Sequence, residues 1–108
     1  MAVNIFKNIR KTLSIAGETV YTTPAAYSGI VLSAQISNIT STPATFSMYV
    51  VGVDLASTSL VTDFTVPGND AASALVGKLV LETGQSIFIS ASDDTSLNLV
   101  LSLLESQN

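Results

Sequence analysis

The sequence predicts an all-β protein, an antiparallel β-sandwich of jelly-roll type with about seven or eight strands and little or no helix. Three observations support this fold class. Apolar and polar residues alternate with a period of two, turn-forming residues recur at intervals of roughly ten to fifteen positions, and most polar residues are Ser or Thr. Alternate side chains of a strand point to opposite faces, so each alternating segment can turn one apolar face toward a core.

The predicted strands are the segments in which this alternation is clearest. They are residues 30–37, 45–50, 60–66, 78–81, 86–91 and 96–103, preceded by 8–15 and 18–22. The first two of these in the chain, 8–15 and 18–22, flank Ala16 and Gly17, a pattern that predicts a hairpin or a strand turned at glycine.

Two segments also have helical features. Residues 71–75 look locally helical, as a single turn at most. Residues 97–105 have a helix as the alternative interpretation, because Leu97, Val100, Leu101 and Leu104 would share one helical face. The strict alternation up to Leu103 favours a strand.

The length of 108 residues fits one domain. We expect residues 1–17 to form a basic N-terminal segment, either an arm or an edge strand. Residues 18–105 would form the β-sandwich, and residues 106–108 a short frayed tail.

Charged residues are scarce. They make up 11% of the chain, whereas hydrophobic residues make up 47%, and a typical soluble domain is about 25% charged. Ser and Thr are cheaper to desolvate than Lys or Glu, so this composition suits a surface that other protein chains cover. The alternative is a monomeric extracellular domain with an uncharged surface.

The charges are unevenly distributed along the chain. The formal net charge is −4; three of the four basic residues lie in the first eleven positions, and all eight acids follow from Glu18 onward. An acidic body disfavours nucleic-acid binding, which needs a basic stripe. We expect no membrane span, because no segment approaches the length of about 20 apolar residues that one requires. The basic segment either docks on an acidic partner or is a solvated strand edge.

The chain lacks the side chains on which most catalysis depends. It contains no His and no Cys, which excludes Ser-His and Cys-His nucleophiles and the usual zinc sites. Asp93 and Asp94 are the one adjacent carboxylate pair, and in a turn such residues cap backbone amides. We therefore predict no catalytic residue, no metal site and no cofactor, and we expect that the protein is not an enzyme. Residues 38–40 match a glycosylation acceptor, although a three-residue match is weak.

Five stretches have a familiar pattern: Glu18-Thr19-Val20-Tyr21-Thr22-Thr23-Pro24, then 29–32 and 36–38, and later 77–87 and 101–105. They resemble the small virion structural proteins of tailed bacteriophages, notably marine and cyanobacterial phages. Proteins of this family decorate capsids, sit at the neck or adapt tails and fibres. The resemblance implies a β-sandwich that is part of a phage particle, and in that family 77–87 forms a hairpin.

The predicted function is therefore a capsid decoration or cement protein at the capsid surface. We expect it to bind other copies of itself, with a trimer as one candidate, and to bind the major capsid protein. A structural role in the neck, tail or fibre base is the alternative, and a carbohydrate-binding sandwich that uses Tyr27 and Tyr49 is a second one. The candidate contact residues are Phe6, Lys7, Arg10, Lys11, Tyr21 and Tyr27.

Overall fold

A computed structural model describes residues 4–108 and contains nine β-strands within that range. The strands are β1 (Asn4–Thr12), β2 (Glu18–Thr22), β3 (Tyr27–Asn38), β4 (Ala44–Val51), β5 (Ser57–Val66), β6 (Ala71–Ser73), β7 (Leu79–Leu81), β8 (Ser86–Ala91) and β9 (Leu97–Gln107).

The strands form two antiparallel sheets packed face to face. In the five-stranded sheet, β9 lies between β1 and β3, and both β6 and β7 pair with the far edge of β3. The four-stranded sheet has the order β2-β8-β4-β5. The predicted all-β sandwich is confirmed, and residues 97–107 form a strand rather than the alternative helix.

The core lies between the two sheets and follows the predicted alternation. In β9, Leu97, Leu99, Leu101 and Leu103 are fully buried, whereas the intervening positions are half-buried or exposed. Facing them from the four-stranded sheet are Phe46, Met48, Ile87 and Ile89, which are also fully buried. Burial of a Leu or Phe side chain stabilises a fold by about 1.5–3 kcal/mol, so this layer is the main source of stability.

The predicted hairpins are wrong where consecutive strands belong to different sheets. Of the two alternatives predicted at Gly17, the hairpin is wrong, because β1 pairs with β9 and β2 pairs with β8. The chain instead turns at this glycine, whose φ is 74°, and passes from one sheet to the other. The hairpin expected within residues 77–87 is also wrong, since β7 pairs with β3 while β8 lies in the opposite sheet.

The predicted helical turn at residues 71–75 is likewise wrong. Ala71–Ser73 is the short strand β6, which pairs with Gln35, Ile36 and Ser37. Pairing with an existing sheet edge outweighs the helix propensity of so short a segment.

Within residues 4–108 the fold contains no helix long and apolar enough to cross a membrane.

Candidate interaction surface

The outward side of the five-stranded sheet is the surface most suited to contact with another protein. We call it the outer face. It consists of the side chains that alternate with the buried ones: Asn4, Phe6, Asn8, Arg10 and Thr12 of β1; Asn98, Val100, Ser102, Leu104 and Ser106 of β9; Ser28, Ile30, Ser33, Gln35 and Ser37 of β3; Ala71 and Ser73 of β6; and Val80 of β7.

Four apolar side chains form a continuous row across this face. The strand register places Phe6 opposite Leu104, Leu104 opposite Ile30, and Ile30 opposite Val80. Both ends of the row are exposed to solvent, Phe6 at 75% and Val80 at 63%. Single exposed hydrophobic residues are common on protein surfaces, but an aligned row that spans four strands is typical of an interaction site.

The outer face carries almost no charge. Arg10 is the one ionisable side chain among its residues, and Lys78 lies at its rim, two positions before Val80. None of the eight acids is a member of the face: Glu105 points inward, whereas Asp70 and Glu82 lie at the rim, one position before Ala71 and two after Val80. Apart from the apolar row, the remaining members are Val100 and a set of Ser, Thr, Asn, Gln and Ala residues, which a partner can cover at little desolvation cost.

A buried carboxylate fixes β1 to this sheet. Glu105 of β9 is only 2% exposed. Its Oε2 accepts a hydrogen bond of 2.7 Å from the hydroxyl of Tyr21, and its Oε1 lies 3.0 Å from Nζ of Lys7. These three residues come from β9, β2 and β1, so the cluster joins the two sheets and holds the strand that carries Phe6.

The two partners of Glu105 keep it ionised. Burial by itself raises its pKa, but the hydrogen bond from Tyr21 and the hydrogen bond and charge of Lys7 together outweigh burial, and the pKa lies below its ordinary value of 4.5. Burial and the neighbouring carboxylate raise the pKa of Tyr21, so its hydroxyl remains a donor at all physiological pH values.

The lowered pKa predicts a loss of stability in acid. A carboxylate whose folded-state pKa is depressed contributes its full stabilisation above the unfolded-state pKa, about 4.3 for Glu, and loses it as pH falls through the folded-state value. We expect urea titrations to give a free energy of unfolding that decreases as the pH is lowered beyond about 4.5. In Glu105→Gln the fall should be shallower, and equal slopes in the two proteins would show that Glu105 is not the group responsible.

The structure places two of the six predicted contact residues on the outer face and the other four elsewhere. Phe6 and Arg10 point outward on the outer face. Lys7 and Lys11 point inward, where Lys7 meets Glu105 and Lys11 lies 3.9 Å from Glu18. Tyr21 is in the core. Tyr27 is half-buried at the start of β3, remote in register from Phe6.

The residues that sequence reasoning missed are Ile30, Val80, Leu104 and Glu105. One signal for Glu105 was present, because it occupies the next inward position after Leu103 and is the first charged residue in that series. The row itself had no such signal. Its members lie far apart in sequence, and only the register brings them together.

Other polar candidates have structural roles. Asp93 accepts hydrogen bonds from the backbone and hydroxyl of Thr95, and Asp94 accepts one from the backbone of Ile15 at 2.9 Å, as expected for capping. Asn38, the acceptor residue of the glycosylation match, is buried and donates to the carbonyls of Thr42 and Val66. Residues 4–108 contain no group of three acids positioned to share a metal ion.

A second apolar patch lies on the outward side of the four-stranded sheet. The rings of Tyr49 and Phe88 are tilted by 49° with centroids 6.4 Å apart. They line a shallow groove of about 430 Å³ together with Ile15, Val51 and uncharged serines. Tyr27 is in the other sheet, so the two tyrosines proposed for carbohydrate binding do not form one site.

Comparison with known proteins identifies relatives of the fold only. No family model matches the sequence, and no curated protein matches it. A chain from the structure of Bacillus endospore appendages, described as disulfide-linked pili, aligns with a TM-score of 0.59 at 12% identity, over 99% of this chain and 88% of that one. This likeness shows a shared β-sandwich fold.

Viral capsid proteins also occur among the similar structures. A chain of the cyanophage Pam1 capsid aligns with a TM-score of 0.49 at 17% identity, over 99% of this chain and 85% of that one. A chain from infectious bursal disease virus, Gt strain, aligns with a TM-score of 0.47 at 10% identity, and the alignment spans this whole chain but only 33% of the viral one.

Proposed function

We propose that this protein is a structural virion protein of a tailed bacteriophage that decorates the capsid by contacts with other protein chains. The observation that carries the proposal is the in-register apolar row on an outer face that lacks acids. The charge-poor composition supports a surface meant for burial. The assignment to a phage rests on the sequence resemblance of the segments 18–24, 29–32, 36–38, 77–87 and 101–105.

A capsid location predicts a high copy number. Mass spectrometry of purified phage particles, quantified against the major capsid protein, should find the chain in copies on the order of hundreds. A copy number of roughly six or twelve would instead assign it to the neck, tail or fibre base. Absence of the chain from particles would contradict the virion proposal altogether.

Carbohydrate binding is the second candidate function, and the Tyr49–Phe88 patch is the observation that favours it. Both rings are half-buried and line the groove, and aromatic rings at a surface can stack on the apolar faces of sugars. A glycan array gives the test, with Tyr49→Ala as the matched variant. Binding that this substitution abolishes would support a carbohydrate-binding module, and an array without hits would remove the candidate.

A further inference from the structure

The geometry points to a two-fold dimer in which the outer face of one copy packs against the outer face of a second copy. This inference rests on the proposed function, because it names the first partner of the surface proposed above. Three observations support a second copy as the occupant: the distribution of charge over the molecule, the area of the face, and the order of residues along the row.

The charge distribution favours this face for self-association. Each chain has a net charge of −4, so two copies repel one another through most of their surfaces. No member of the outer face is an acid, and Arg10, its one cation, lies away from the row; at the rim, Lys78 and Glu82 lie two positions before and after Val80. A contact through the members of this face therefore brings together no pair of carboxylates when two copies meet.

The area is sufficient for a specific contact. Four strand widths of about 4.8 Å and a length of about ten residues at about 3.3 Å each give roughly 600 Å² per copy. Specific complexes bury about 600–1,000 Å² per partner, so complete coverage of the face meets the lower end of that range.

The order of residues along the row and the place of the row on the face select one symmetry axis. An axis along the row would also match apolar side chains, but the row crosses β1 at the third of its nine residues, so that axis would overlap only one end of the two faces. An axis that runs parallel to the strands, between β9 and β3, reverses the strand order of the second copy. It places Phe6 over Val80 of the other copy and Leu104 over its Ile30, so every member of the row meets an apolar side chain. The same operation places Arg10 over Ser73 of the other copy and avoids contact between the two arginines.

Light scattering of the purified chain at increasing concentration tests the association. We expect a limiting mass of twice the 11.2 kDa of the chain. Val80→Glu should weaken dimerisation roughly 30-fold, because the substitution inserts a carboxylate at both ends of the interface. Val53→Glu is the matched control, since Val53 is also exposed, at 74%, but lies in the turn between β4 and β5, away from the outer face.

Cross-linking tests the axis, and the natural chain has no cysteine to interfere. Under oxidation, a mixture of Phe6→Cys and Val80→Cys should form the mixed disulfide-linked dimer in preference to either homodimer. The proposal is overturned if the wild-type chain remains a monomer or forms a trimer. It is also overturned if the two glutamate variants behave alike, or if Phe6→Cys cross-links chiefly to itself.

The outcomes for the dimer and for the proposed function are separable. A monomeric chain that is nevertheless abundant in phage particles would overturn the dimer and leave the virion role intact. A two-fold dimer that is absent from particles would support the dimer and overturn the virion role.

Discussion

Phe46→Ala should lower the free energy of unfolding by about 3–5 kcal/mol. Phe46 lies in β4, one of the two middle strands of the four-stranded sheet. It is 1% exposed, and its ring packs between the two sheets. Truncation to Ala removes the transfer free energy of the ring and leaves a cavity that two rigid sheets cannot close. A domain of this length has a total stability of about 5–15 kcal/mol, so the variant should remain folded but melt well below the wild type.

Phe64→Ala is the matched control. Phe64 lies directly opposite Phe46 in the neighbouring edge strand β5, with ring centroids 5.6 Å apart, and it is 45% exposed. The same truncation should cost about 1 kcal/mol there, because much of the ring is already in water. Urea titration of both variants measures the difference. Equal losses would contradict the placement of Phe46 in the core and Phe64 at its margin.

Lys7→Met should lower the free energy of unfolding by about 2–3 kcal/mol at neutral pH. The substitution keeps the length of the side chain but leaves the buried Glu105 carboxylate with Tyr21 as its one remaining partner. Removal of one partner of a buried ion pair typically costs about 3–5 kcal/mol, and the partial exposure of Lys7 reduces that cost here.

Lys11→Met is the control within the same strand. The ammonium of Lys11 lies 3.9 Å from Glu18, and both side chains are exposed to water, so its loss should cost less than about 0.5 kcal/mol. The double variant Lys7→Met/Glu105→Gln should regain much of the lost stability, because it no longer buries an unpaired charge. If Lys7→Met and Lys11→Met had the same stability, the buried cluster would not be what holds β1.

Most strands could be predicted from the sequence because their cause is local. In β9 each inward position from Leu97 to Leu103 is a leucine, and a strand is the structure that buries all four on one face. The same reasoning predicted the alternating strands β3, β4 and β8. The nine strands observed in residues 4–108 exceed the eight predicted segments by one, because Ala71–Ser73, expected as a helical turn, pairs with β3 as the strand β6.

The sheet partners could not be predicted in this way, since pairing depends on contacts between distant residues. Phe6 and Leu104 are adjacent in the folded chain although 98 positions separate them in the sequence. The hairpins expected around Gly17 and within 77–87 failed for this reason. Local turn chemistry indicated reversals there, but the strands on either side of each turn join opposite sheets.

A low-charge contact surface was predictable from the sequence, but most of the residues that form it were not. Scarce charge indicated a surface meant for burial. The strand register places Phe6 and Arg10 on the outer face, and their contact with a partner stays a prediction. Lys7 was a candidate contact residue because it belongs to the basic N-terminal segment, for which docking on an acidic partner was one of two alternatives. The alternation of β1 turns it inward instead, where it neutralises the charge of Glu105.

Cysteine accessibility in assembled particles tests most directly whether other subunits cover the outer face. Val80→Cys and Val53→Cys each introduce one thiol at an exposed valine of a chain that otherwise has none. In the isolated, unfolded chain both should react with a maleimide at the same rate. In particles we predict that Cys at position 80 is protected while Cys at position 53 reacts freely. Equal labelling of the two in particles would contradict burial of this face.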